Sequence, residues 1–450
     1  MLEIIVAVLV ICFVSYLIIK KYDTILALAF GGIILLVFAA ILGHPILNEK
    51  TTTGVVWLDI FKVIEVLFLK NLGNIGLTII TLFGYSAYMS AIGADTVTIE
   101  IMTKPLKVIK AKYLLIPLIF LLGNLLSLVV PSASGLGILL MATLFPILTN
   151  LDISPLAAGG VIATTATIMP TPLGADNVIA SETFGINLVK YVSQHAMISI
   201  PTLIIMAITH YFWQKYLDKK ESSENLNLNN VKEVKKASEP WFYGILPLLP
   251  LILVIVINVC FKSIKVGLVT ITFICLVISI IIDYSRKRNV ENLSLAMKKV
   301  FSGMGNGLAM VITLLVAAGM LVEGLKALGI IKLITSSVNN LHGAGIFMIL
   351  GFSLITLIIG LISGSGLSVF YATIGIIPSV ALAAKIPPQT ISLPMQMIAN
   401  LVRSVSPVSA VIVIISTTMN AQPLQIVKRT LLPIIVGMIS IFTLTFLLLV

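Results

Sequence analysis

Two short groups of small and hydroxyl-bearing residues interrupt long apolar stretches of this sequence. One group is Ser132-Ala133-Ser134-Gly135 and the other is Ser363-Gly364-Ser365-Gly366. Lipid offers no partner for a free backbone N–H or C=O, so a break in a membrane helix must be buried in protein or face a water-filled cavity. Serine hydroxyls, glycine backbone and a new helix N-terminus are groups that suit an anion. The pattern predicts the binding site of a secondary transporter.

Two segments that contain proline predict two further helix breaks, one in each half of the chain. Each follows one of the serine–glycine groups. Discontinuous helices in transporters meet near the middle of the membrane and bind solute and coupling ion there. The residues that these breaks add to the predicted substrate site are Thr171, Pro172, Arg403, Ser404, Ser406 and Pro407, and the candidates for a coupling-ion site are Asp176 and Asn177.

Arg403 is a charged residue inside the apolar stretch Met395–Ile415. A charge in that position costs at least about 2.5 kcal/mol on insertion scales, so it must face a partner or a cavity. A planar guanidinium can hold a carboxylate through two hydrogen bonds. Two interpretations stay open: Arg403 contacts the substrate, or it pairs with Asp176 or Glu182. Asp176 in turn could bind a cation, carry a proton or pair with Arg403.

The composition is that of a membrane protein. Of the 450 residues, 58% are hydrophobic and 10% are charged, whereas a soluble domain has about 25% charged residues. The net charge of +11 does not indicate a nucleic-acid partner, because the basic residues lie in short loops, as in cytoplasmic loops of membrane proteins. Lys428-Arg429 is interpreted as one such anchor. No cysteine spacing indicates a metal, no nucleophile–base pair indicates an enzyme, and no cofactor is expected.

The two halves of the sequence share short motifs in the same order. Ser132–Gly135 corresponds to Ser363–Gly366, and Thr171-Pro172 corresponds to Ser406-Pro407. Six such matches predict a duplication. The loop charges then predict that the halves are inverted, that two re-entrant hairpins enter from opposite faces, and that both termini are periplasmic or extracellular.

The predicted fold is therefore an all-α polytopic membrane protein with two inverted repeats, about ten transmembrane helices, two re-entrant hairpins and two broken helices. Amphipathic helices are expected at the membrane surface over Val56–Leu69 and Asn292–Phe301. The predicted divisions are a first repeat over 1–216 with its hairpin at 113–150 and broken helix at 154–183, a cytoplasmic linker at 217–240, and a second repeat over 241–450 with its hairpin at 343–385 and broken helix at 388–417.

Several motifs resemble those of the anaerobic C4-dicarboxylate carriers of the Dcu type C family. The resemblance spans nearly the whole chain, and the motif that precedes the central loop is quite specific. The motifs are GLGILLMATLFP at 135–146, FWQKYLDKKE at 212–221, LLVAAG at 314–319, GSG at 364–366, SPVS at 406–409 and VKRT at 427–430.

This resemblance implies a carrier in the bacterial inner membrane for succinate, fumarate, malate or aspartate. It implies ion-coupled symport, efflux or exchange. The wider ion-transporter group to which the family belongs includes elevator-type homodimers whose hairpin tips hold substrate and cation. That likeness places the substrate at Ser132–Gly135, Ser363–Gly366, Pro170–Pro172 and Ser404–Pro407.

The coupling ion and the substrate stay open at this stage. The Ser-Asn-Thr tips of the sodium-coupled carriers are replaced here by Ser132-Ala133-Ser134 and Ser363-Gly364-Ser365. Neither tip contains an asparagine amide, so H⁺ and Na⁺ are both candidates for the coupling ion. A carrier of another small organic anion or of an amino acid on the same scaffold is the alternative function.

Overall fold

A computed structural model describes residues 2–104, 112–128, 130, 132–220, 239–260, 266–339 and 343–450. All regular secondary structure in these ranges is helical. Long apolar stretches form helices because a helix satisfies its own backbone N–H and C=O groups in lipid. In these ranges eight helices are long and apolar enough to cross a membrane, or up to ten if each of two bent helix pairs is one span. This is the architecture of a multi-pass membrane protein.

The first half of the described chain, up to Lys220, contains helices α1 to α11. Helix α11 extends into the segment 217–220 that the sequence assigned to a linker. The helices are α1 (Leu2–Ile19), α2 (Thr24–Ile41), α3 (Val56–Asn71), α4 (Leu77–Ala91), α5 (Ala94–Thr103), α6 (Leu115–Leu126), α7 (Ala133–Thr143), α8 (Phe145–Asn150), α9 (Pro155–Ile162), α10 (Ala175–Phe184) and α11 (Leu188–Lys220).

The second half begins with a 3₁₀ segment at Trp241–Leu248 and continues with helices α12 to α22. They are α12 (Leu249–Cys260), α13 (Leu268–Lys287), α14 (Val290–Gly307), α15 (Thr313–Ala327), α16 (Ile330–Asn339), α17 (Ala344–Ser363), α18 (Gly366–Thr373), α19 (Ile377–Ala383), α20 (Pro388–Val402), α21 (Ala410–Thr418) and α22 (Pro423–Leu448).

One π-helical segment interrupts a long helix in each half. Leu72–Gly76 joins α3 to α4, and Leu308–Ile312 joins α14 to α15. Because a π turn adds a residue without breaking the helix, Val290–Ala327 is one 38-residue helix. The stretch Asn292–Phe301, expected to lie at the membrane surface, is thus the first part of a longer helix, and Val56–Leu69 likewise continues through its π segment into α4. Their position at the membrane surface stays a prediction.

Apart from α1 and α16, each of which contacts helices of both, the described helices pack in two groups. The first group consists of α2 to α5 and α12 to α15, in which α2 packs along α15 and α4 packs along α14. Small residues allow helices to approach closely, and a Cβ added to Gly32 of α2 would lie 2.7 Å from the backbone of Met320 in α15. The second group consists of α6 to α11 and α17 to α22, in which α11 packs along α22 and α17 along α20. All the predicted site residues belong to the second group or to its connecting segments.

Candidate functional site

The first serine–glycine group forms the N-terminus of α7. Ser132 is the N-cap residue, and its Oγ accepts a hydrogen bond of 3.1 Å from the backbone N–H of Gly135. A serine in this position satisfies one of the free N–H groups at a helix start. Helix α7 packs against α21, where Gly137 faces Val411. The described hydrogen bonds do not link Ser132–Gly135 to the other predicted site segments.

The second group forms the tight connection between α17 and α18. Gly364 has a φ of +80°, a left-handed conformation that favours glycine. A Cβ on Gly364 would lie 2.9 Å from the Cα of Ser409, so this tip rests on the break between α20 and α21. The Ser406 hydroxyl in that break donates a 2.6 Å hydrogen bond to the carbonyl of Leu361. The tip and the second break are therefore in direct contact.

The two helix breaks are hydrogen-bonded to each other. The chain is non-helical over 163–174, between α9 and α10, and over 403–409, between α20 and α21. The Ser404 hydroxyl donates to the carbonyl of Ala163 at 2.8 Å, and an Arg403 Nη2 donates to the carbonyl of Ala166. These bonds give buried backbone carbonyls at the first break partners that the helix no longer supplies.

Arg403 keeps donors that the protein does not use. Its Nε is buried and has no hydrogen-bond partner in the described part of the chain. The described ranges also contain no ion pair between Arg403 and Asp176 or Glu182, which the sequence left open. A half-buried guanidinium with unused donors is suited to hold a carboxylate.

Asp176 and Asn177, in the first turn of α10, are held by amide side chains of α20. Asn400 Nδ2 donates to Asp176 Oδ2 at 2.9 Å, and Gln396 Nε2 donates to Asn177 Oδ1 at 2.8 Å. The Asn177 amide in turn donates to the carbonyl of Thr171 at 2.9 Å. The structure therefore brings both coupling-ion candidates and Thr171 next to α20.

Four further residues of this cluster were not predicted. Tyr191 of α11 donates a 2.8 Å hydrogen bond to Gln396 Oε1 and shares a 2.9 Å hydrogen bond with Ser392 Oγ. Ser392, Gln396 and Asn400 are four residues apart, so they lie on one face of α20. That spacing of polar residues in an otherwise apolar stretch was the available signal.

Asn124 of α6 holds the first break from the other side. Its Oδ1 accepts from the N–H of Thr167 at 3.0 Å and from the Thr167 hydroxyl at 2.8 Å. Its Nδ2 donates to the carbonyls of Thr164 and Phe120. One amide thus replaces several backbone hydrogen bonds that the broken helix has lost.

The described residues contain no group of three or more His, Cys, Asp or Glu side chains placed to hold a metal ion. The chemistry of the region is instead that of binding. One guanidinium, one carboxylate, several amides and non-helical backbone meet where the two helix breaks contact each other, and such a place can bind a small anion together with a cation.

Comparison with known proteins supports a match over the full length. The model of the C4-dicarboxylate anaerobic carrier family matches residues 2–450. The anaerobic C4-dicarboxylate transporter DcuC of Escherichia coli strain K12 is 36% identical over 448 residues, which cover 99% of this chain and 96% of the relative. A probable anaerobic C4-dicarboxylate transporter DcuC of Vibrio cholerae is 35% identical over 447 residues, covering 98% and 96%.

Among solved structures, MtrF of Neisseria gonorrhoeae superposes with a TM-score of 0.67. The match covers 97% of both chains at 15% sequence identity, and MtrF is described as illuminating a class of antimetabolite efflux pumps. At this identity the likeness concerns the fold alone.

Proposed function

Because this chain belongs to the C4-dicarboxylate anaerobic carrier family, we propose that it is a secondary active transporter of C4-dicarboxylates. Membership in a family of carriers makes it a transport protein and not an enzyme. The substrates we expect are succinate, fumarate, malate and aspartate. The observation that carries this proposal is the buried Nε of Arg403, which has no hydrogen-bond partner among the described residues. Arg403 belongs to the second break and donates a hydrogen bond to Ala166 in the first break.

In the proposed binding mode, each hairpin tip receives one carboxylate of the substrate. The tips are Ser132–Gly135 and Ser363–Gly366. Arg403 makes the site asymmetric, because it adds a cation on one side only. The Nη2 bond to Ala166 fixes the position of the guanidinium, which reduces the entropy cost of binding.

An elevator-type mechanism is part of the proposal. The predicted site residues belong to the second helix group, whose helices pack mainly on one another. A group of this kind could move as a unit against the first group. We further propose two inverted repeats, a homodimer, and a place in the bacterial inner membrane with both termini periplasmic.

Asp176 is the proposed coupling-ion residue, with Asn177 beside it. Its carboxylate accepts from an uncharged amide, Asn400, and pairs with no described cation. We propose that the coupling ion, H⁺ or Na⁺, binds this carboxylate during transport. Counterflow in proteoliposomes with an imposed Na⁺ or pH gradient shows which of the two ions is coupled to transport. Asp176→Asn should abolish the dependence of counterflow on the gradient of that ion.

The test of the transport function is exchange of labelled succinate for fumarate in proteoliposomes. Exchange that saturates is expected, and its absence with folded protein refutes the proposal. A panel of other organic anions and amino acids tests the alternative function. That function is supported if one of them competes for transport and succinate does not.

For the site itself, Arg403→Lys should weaken succinate binding and Arg403→Ala should weaken it further. The matched control is Arg286→Ala, because Arg286 lies at the end of α13 and pairs with Glu239 away from the breaks. Wild-type affinity in both Arg403 variants would show that this residue does not bind the carboxylate.

A further inference from the structure

One face of α11 carries three polar residues that follow the length of α9. His210, Gln214 and Asp218 are spaced by four residues, so they lie in a row on the helix. His210 and Gln214 are fully buried, and the Asp218 side chain is 8% exposed. Buried polar groups need partners, and the partners of this row lie at the two ends of α9.

Asp218 fixes the beginning of α9. Its Oδ1 accepts a 2.6 Å hydrogen bond from the hydroxyl of Ser154. Ser154 is also the N-cap of α9, since its Oγ accepts from the N–H of Ala157 at 3.1 Å. The charge of Asp218 is balanced by Arg429 of α22, whose Nη1 lies 2.5 Å from the same Oδ1. A hydroxyl of Tyr113 donates to the other oxygen at 3.2 Å.

His210 fixes the end of α9, where the first break begins. The Thr164 hydroxyl donates to the carbonyl of Val161, so its oxygen accepts from His210 Nε2 at 3.1 Å. His210 Nδ1 must then accept, and Gln214 Nε2 lies 3.3 Å from it. The same amide nitrogen donates to the carbonyl of Arg429 at 2.8 Å, and its oxygen faces the Arg429 guanidinium. Arg429 thus sets the orientation of the Gln214 amide.

The residue after Arg429, Thr430, reaches the second break. The Thr430 hydroxyl donates to the carbonyl of Ser404 at 2.6 Å, and Ser404 bonds to Ala163 of the first break. Between its ends, α9 touches the same residue, because a Cβ on Gly160 would lie 2.5 Å from the Cβ of Arg429. Two consecutive residues of α22 therefore hold both breaks.

We infer that Arg429 is a positioning residue for substrate binding, although its contacts among the described residues include neither Arg403 nor the hairpin tips. With Asp218 it forms a buried ion pair that fixes both ends of α9 and, through Thr430, the second break. Its side chain is 2% exposed. The interpretation of Lys428-Arg429 as a cytoplasmic anchor does not fit the buried Arg429, and for the exposed Lys428 it stays a prediction. This inference rests on the proposed transport function.

The experiment compares Arg429→Gln, Arg429→Lys and Asp218→Asn with wild type in succinate exchange. Each purified variant is first checked for folding by thermal unfolding and size-exclusion chromatography. We expect the KM for succinate to rise about tenfold, which corresponds to about 1.4 kcal/mol, with a smaller change in maximal rate. Arg429→Lys should recover part of the loss because it keeps the charge. The double variant Asp218→Asn/Arg429→Gln should be no worse than either single variant, because both break one network.

The matched control is the double variant Thr202→Val/Ser440→Ala. Thr202 and Ser440 share a 3.0 Å hydrogen bond between the same helices, α11 and α22, but touch neither break. The KM of this control variant for succinate should stay at the wild-type value. A wild-type KM in folded Arg429→Gln, or an equal rise in the control, would overturn the inference. If Arg429→Gln does not fold, Asp218→Asn and Ser154→Ala answer the same question. Absence of exchange in wild type would instead refute the transport function.

Discussion

Replacement of Gly366 by alanine should displace the tip of the connection between α17 and α18 from α20. A Cβ at this position would lie 2.5 Å from the carbonyl oxygen and 2.6 Å from the Cα of Ala399, and 2.7 Å from Val402 Cγ1. Ordinary contacts begin at 3.4 Å. The first two neighbours are backbone atoms, so a change of side-chain rotamer cannot relieve the overlap.

The tip must therefore retreat by about 1 Å, a displacement that can cost about 10²-fold in rate when a binding group is positioned for its ligand. Overpacking of this kind also lowers the free energy of unfolding by about 1–3 kcal/mol. We expect Gly366→Ala to lose most of its succinate exchange and to unfold at a lower temperature than wild type.

The matched control for this variant is Gly351→Ala, in the middle of α17. No atom lies within 4 Å of a Cβ added there, and alanine is the better helix former by about 0.5–1 kcal/mol. This variant should keep wild-type exchange and equal or higher stability. The reasoning is refuted if Gly366→Ala matches Gly351→Ala in both exchange and unfolding temperature, measured in the same detergent.

Three further predictions concern stability, each checked by thermal unfolding of the purified protein. Asn124→Leu should lower the free energy of unfolding by about 2 kcal/mol or more, because the buried N–H of Thr167 loses its acceptor. Tyr191→Phe should lower it by about 1–3 kcal/mol, because Gln396 Oε1 loses its donor. Asp59 is buried, which disfavours its charge, but threonine hydrogen bonds outweigh burial and hold its pKa below the usual value. The stabilisation is present at neutral pH and is lost as pH falls through that lowered pKa, so wild type and Asp59→Asn should converge in acid.

Each of these three predictions has a contradicting result. Asn124→Leu or Tyr191→Phe at wild-type unfolding temperature would show that the lost hydrogen bond is replaced by water or by another group. A constant difference between wild type and Asp59→Asn from neutral to acidic pH would show that the carboxylate is not the source of the stabilisation.

The family and the all-α membrane architecture were predictable from the sequence, and both are confirmed. A long apolar stretch crosses lipid as a helix, because a helix satisfies its own backbone hydrogen bonds. Such helices can therefore be predicted without knowledge of how they pack. Serine, glycine and proline within such stretches were equally readable, because they disfavour a continuous helix. The inverted topology, the hairpins and the assignment of substrate and ion residues stay predictions.

The hydrogen-bonded cluster around the breaks was less accessible. Gln396 and Asn400 carry no charge and lie within a stretch that the sequence analysis treated as apolar. Arg429 looked like its neighbour Lys428, since two adjacent basic residues at a helix start are typical of an anchor. Only the packing of α22 on α11 and α9 shows that one of them is buried against Asp218.

The π-helical segments have a consequence for how the chain tolerates changes in length. In an α-helix each residue turns the helix by about 100° and advances it by about 1.5 Å. Deletion of one residue from Leu72–Gly76 would restore a regular helix and so rotate α3 relative to α4. The face of α3 that carries Ile60, Val63 and Leu67, now buried, would turn away from α15. The extra residue in each π turn thus orients the two parts of a long helix so that each packs on its own neighbours. A chain shortened by one residue in that turn would lose this relative rotation.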